Sequence, residues 1–114
     1  VSEEVPWTVA EMEAALVSAS VKGKLLVTTR AVLEELHRLG ARRPEVEVRT
    51  ASVLIEFGQN DQFSLSVDRS GTVRAWVWVE PVTYFTNGTV WRTRGRDVGA
   101  VLHEFALRVG LPQR

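Results

Sequence analysis

The stretch Thr72-Val73-Arg74-Ala75-Trp76-Val77-Trp78-Val79 decides the fold of this chain. Small apolar residues alternate there with Arg74, Trp76 and Trp78, a period of two that belongs to a β-strand, whose successive side chains point to opposite sides. Val73, Ala75, Val77 and Val79 form one face, and the two tryptophans make the second face apolar as well. Antiparallel sheets commonly leave one face to water. This strand instead calls for a helix over its second face or a partner from outside.

Working outward, the turn Arg69 to Gly71 reads as a three-residue hairpin with Gly71 in the left-handed conformation. It sets Val67 beside Val73, Leu65 beside Ala75 and Phe63 beside Val77. A five-residue loop at 58–62 sets Phe57 beside Phe63 and Ile55 beside Leu65, so the large apolar residues share one face. A slip of one residue would bury Ser64 and Ser66 instead. On the other side, Pro81 has no N–H for a ladder, so the strand bends, bulges or lies on an edge there. Asn87-Gly88 predicts a tight hairpin that sets Tyr84 opposite Trp91 and Phe85 opposite Val90.

Helical periods flank this meander. Thr8 and Glu11 form a capping box, Trp7 and Met12 are placed for a hydrophobic staple, and Val9, Met12, Leu16 and Ala19 give a stripe, predicting a helix from about Val9 to Ala19. Leu25, Leu26 and Val27 follow Gly23 as a short apolar run, an extended piece or strand. Thr28 or Thr29 then caps a second helix over Arg30 to Leu39, which carries Val32, Leu33, Leu36 and Leu39 inward and ends at Gly40. Glu34 and Arg38 stand four apart on its wet side. Asp97 caps a last helix with Val98, Val101, Leu102, Phe105 and Val109 as its stripe and Gly110 with Pro112 as its stop. The expectation is a single α+β domain over residues 1–114: an antiparallel meander of four to five strands preceded by two helices and followed by a C-terminal helix.

Composition bounds the function. In 114 residues, 45% are hydrophobic and 25% charged, the proportions of an ordinary globular protein. Fourteen basic and fourteen acidic residues cancel, which argues against a broad grip on nucleic acid or an anionic membrane. Without cysteine there is no disulfide framework, thiolate nucleophile or cysteine zinc site. No stretch approaches the length of a membrane span, and Glu3, Glu4 and Pro6 do not open a signal sequence, so a cytoplasmic location is expected.

The residues with functional promise lie on the second sheet face. Leu54, Glu56, Ser64, Ser66, Arg74, Trp76 and Trp78 share it, joined by Tyr84 and Trp91 if the strand passes Pro81 without a bulge. Tryptophan, tyrosine and arginine are the side chains most enriched at binding hot spots. Arg74, Trp76, Trp78, Tyr84, Trp91 and Glu56 are therefore the candidate partner-binding residues, unless a helix covers them as core. Arg92, Arg94 and Arg96, with Arg42 and Arg43 as neighbours, form the only local basic excess, either a phosphate-binding set or a charged edge that resists aggregation. His37 and His103 sit on helices beside their apolar stripes and read as partly buried structural histidines. Glu56 and Arg74 read as a salt bridge rather than a catalytic pair. Asn87-Gly88-Thr89 also spells a glycosylation acceptor, which the hairpin explains equally well. No catalytic residue, metal or cofactor is expected.

The opening Trp7-Thr8-Val9-Ala10-Glu11-Met12, the central meander and the ending Val101-Leu102-His103-Glu104-Phe105 through Gly110-Leu111-Pro112 resemble small actinobacterial immunity proteins of polymorphic toxin systems. That resemblance implies a non-enzymatic protein that binds and neutralises a cognate protein toxin in the producing cell; it assigns no catalytic or binding residue. The alternative is a small-ligand or single-stranded nucleic-acid binding domain that uses the aromatic sheet face. Homodimerisation stays open.

Overall fold

The computed structural model describes residues 6–57, 63–78 and 89–109. The Asn87-Gly88 hairpin, its Tyr84 and Phe85, and the Gly110 and Pro112 stop lie outside the described residues. The elements run α1 (Val9–Ser18), α2 (Gly23–Arg38), β1 (Glu45–Val48), β2 (Ser52–Phe57), β3 (Phe63–Asp68), β4 (Val73–Trp78), β5 (Thr89–Gly95) and α3 (Val98–Val109). The five strands form one antiparallel sheet in sequence order, β1-β2-β3-β4-β5. The α+β meander with two leading helices and one closing helix is thus the observed architecture.

α1 starts where its cap places it. The Thr8 hydroxyl accepts from the Glu11 amide at 3.2 Å. Trp7 and Met12 are both buried, as a staple requires. The Trp7 indole N–H donates to the Ala41 carbonyl at 3.0 Å, tying the entry of α1 to the exit of α2. Both helices end on one hydrogen-bond pattern: the Val21 amide reaches back to Leu16, and the Ala41 amide to Leu36. Each such ending needs a left-handed residue, Ser20 in the first case and Gly40 in the second.

α2 corrects the sequence reading. It begins at Gly23, two turns before the expected start, and takes in Leu25, Leu26 and Val27 as helix rather than strand. Thr28 and Thr29 do not cap it; both are buried inside it. The apolar stripe runs Leu25, Thr29, Val32, Leu33 and Leu36, and the threonines at its near end disguised two turns of helical period. Gly23, with φ of 67°, supplies the reversal that lets the helix start there. On its wet side Arg38 pairs with Glu35 and Arg30 with Glu34, so the expected Glu34–Arg38 pair is replaced by its neighbours.

The sheet registers are those the turns predict. Phe57 pairs with Phe63, Ile55 with Leu65, Val67 with Val73, Leu65 with Ala75 and Phe63 with Val77. Gly71 is left-handed, with φ of 86°. α2 lies against β2 and β3, α3 against β4 and β5, and α1 against α2, so the described helices cover one sheet face. Val53, Ile55, Phe57, Leu65, Val67, Val73 and Ala75 meet Leu16, Leu33, Leu36, Leu102 and Phe105 in that layer. Phe63 and Val77 pack against its rim, and the rings of Phe57, Phe63 and Phe105 lie 5.3 to 6.3 Å apart at steep angles.

Candidate functional site

The opposite, outer sheet face is built by the even-numbered residues of β2 to β5. The ladders align them in two rows: Glu45, Glu56, Ser64, Trp76 and Arg92 in one, Glu47, Leu54, Ser66, Arg74 and Arg94 in the other. Charge is graded across these rows. Carboxylates stand on β1 and β2, small and neutral groups on β3, and guanidinium groups on β4 and β5. Among the described elements no helix packs on this face. Trp76 is half-buried, Arg74, Arg92 and Arg94 are exposed, and a depression of about 420 Å³ is bounded by Arg74, Trp76, Arg92 and Arg94.

The arginines are not equivalent. Arg74 pairs with Asp68 at 3.0 Å, and not with Glu56, which stands two strands away and so roughly 10 Å off. Asp68 also accepts from the amides of Ser70 and Thr72 at 2.9 and 3.1 Å and from the Ser70 hydroxyl at 2.5 Å. These donors, the Ser70 hydroxyl foremost, hold its pKa near about 2 against an ordinary 3.8. Asp68 thereby fixes the head of Arg74. Arg92 and Arg94, in contrast, make no ion pair or hydrogen bond among the described residues. Arg94 faces Arg74 directly across the ladder, an arrangement of like charges that costs stability.

The remaining candidates divide. Val77 pairs with Trp91 in the same register as Val73 with Gly95, and the ladder then shifts by one residue, so that Trp78 pairs with Thr89. Position 91 thus stands in the row of Val77 and not in that of Trp76, and the passage at Pro81 on which its expected placement depends lies outside the described residues. Tyr84 lies outside the described residues. Arg43 pairs with Glu11 at 3.1 Å, beside the β1 edge and across the sheet from Arg92 and Arg94. The basic cluster is therefore Arg74, Arg92 and Arg94 around Trp76, without Arg42 and Arg43. His37 and His103 are both exposed rather than partly buried, and the His37 ring stands edge-on to Trp7 with centroids 4.9 Å apart. No group of three potential metal ligands occurs among the described residues, and no described helix is long and apolar enough to cross a membrane.

The charge gradient was missed in the sequence because β1 was not resolved as a separate strand. Once Glu45-Val46-Glu47-Val48 is paired with β2, its two glutamates join the outer face. In comparisons with known proteins, no family model, no curated protein and no solved structure matches the chain.

Proposed function

We propose that the protein is a non-enzymatic binding module whose outer sheet face docks a protein partner, in the manner of an immunity protein or antitoxin that neutralises a cognate toxin. The graded face carries this reading. Arg92 and Arg94 have no partner among the described residues and Arg94 opposes Arg74, a cost that an acidic surface on a docked protein would offset. Trp76 beside them supplies the large, half-buried anchor typical of interface hot spots. The carboxylates of Glu45, Glu47 and Glu56 on the far side would repel a uniform polyanion but suit a partner of mixed charge.

Co-expression with the product of the adjacent gene tests this reading. Rescue of growth and co-purification are expected, and Arg92→Glu with Arg94→Glu should abolish both; failure of the unaltered chain to do either would count decisively against it. A second reading is favoured by one feature, the exposed arginines next to Trp76: single-stranded nucleic acid stacks on aromatics and binds arginine through phosphate. Titration with single-stranded DNA and RNA at two salt concentrations separates the two, since that mode weakens steeply with salt.

A further inference from the structure

A second basic concavity lies at the end of the fold where α1 passes into α2, and it shares no residue with the outer-face cluster. It is an open cleft of about 580 Å³, large enough to seat a small ligand. Lys22, Lys24, Arg49 and Arg69 line it, drawn from the α1–α2 connection, the first turn of α2, the β1–β2 turn and the β3–β4 turn. Lys22 and Lys24 are the only lysines in the chain, and neither has a partner among the described residues. The Lys24 stem passes over Gly71: a Cβ there would come within 2.7 Å of the Lys24 Cε, so the left-handed glycine leaves the room the stem occupies.

Arg69 donates through Nη2 to the Thr50 carbonyl at 2.8 Å, which anchors its guanidinium across two turns and leaves further N–H groups for a ligand. Arg49 is partly neutralised by Glu47 at 3.0 Å. Three exposed cations thus line one open cleft, and no carboxylate is among its lining residues. The start of α2, with no side-chain cap and no acidic residue in its first turn, adds positive potential to the same space but would not make a site alone.

We propose that this cleft binds a small ligand carrying a phosphate group, held by Lys22, Lys24 and Arg69. A phosphate dianion offers three acceptor oxygens, which matches two point charges and one fixed fork better than a carboxylate does. The lining has no aromatic ring, and its buried apolar members are Val21 and Leu25, so the rest of the ligand is a compact, non-aromatic body.

The test is an amide NMR titration of the full chain with inorganic phosphate and with glycerol 3-phosphate, at ionic strength held constant with sodium chloride. Saturable shifts confined to Lys22 through Leu25 and Arg69 are expected for at least one probe, and the tighter probe tells whether the free or the esterified anion is the ligand. Lys22→Gln with Lys24→Gln should weaken binding about tenfold or more, as loss of charge-assisted hydrogen bonds does. Arg92→Gln with Arg94→Gln should leave it unchanged, which separates this site from the outer face. The same spectra report folding, and Lys22→Gln alone, at an exposed position, should still weaken binding. Shifts that follow chloride as readily as phosphate, or equal affinity in a folded lysine variant, would overturn the proposal.

Discussion

Thr29 carries a hydroxyl that the packed helices shut away from water without giving it a hydrogen-bond partner. Threonine inside a helix ordinarily returns its hydroxyl to a carbonyl one turn back, and a buried hydroxyl left without one keeps its desolvation penalty. Valine has the same shape and no such group. Thr29→Val should therefore raise stability by about 1 kcal/mol. Urea unfolding reads this as a higher midpoint at an unchanged slope; a lower midpoint would mean that Thr29 finds a partner in solution. The same residue shows why a single position misleads. Thr28 and Thr29 have the chemistry of caps, and nothing local distinguishes a threonine that opens a helix from one that sits on its buried stripe.

The β3–β4 hairpin carries a pH-dependent contribution to stability. Asp68 has a folded pKa of about 2 and an ordinary value of 3.8, so its ionised form is bound more tightly in the native state. A group depressed in this way contributes its stability above the unfolded pKa and loses it as pH falls through the folded one. Asp68→Asn should destabilise the protein fully at pH 5 and above, and the difference from the unaltered chain should shrink between about pH 4 and about pH 2. A gap that stays constant across that window would show that the turn depends on geometry and not on charge. This hairpin was legible in the sequence because Gly71 and the alternation of Phe63, Leu65 and Val67 fix its register by two independent rules. α2 was not, since its start depends on the left-handed Gly23 and its stripe includes threonine. The outer-face residues of β4 could be named from alternation alone. Their partners Arg92 and Arg94 acquired a place only through the β4–β5 register, and the Glu45 and Glu47 half only through pairing with β2.

Across the whole molecule the sheet separates two kinds of surface, and that separation makes stability and binding independently testable. Phe105 is fully buried between α3 and the rings of Phe57 and Phe63. Its truncation to alanine removes packing that no neighbour can refill, at a cost of about 3–5 kcal/mol. A domain of ordinary stability has only about 5–15 kcal/mol to lose. Trp76 lies on the other side of the same sheet, half-buried and beyond the reach of the described helices. Trp76→Ala gives up a part of that burial, roughly 1 kcal/mol. Against the proposed partner it should lose far more, about 2 kcal/mol or above, or some thirtyfold in affinity, as an interface anchor does. Thermal melts and a partner titration on the two variants should therefore move in opposite ways: Phe105→Ala melts early, with any residual folded fraction binding normally, while Trp76→Ala melts near the unaltered chain and binds weakly. If Trp76→Ala instead falls as far in melting temperature as Phe105→Ala and binds undiminished, the outer face is structural, and Arg92 and Arg94 lose their anchor as a docking surface.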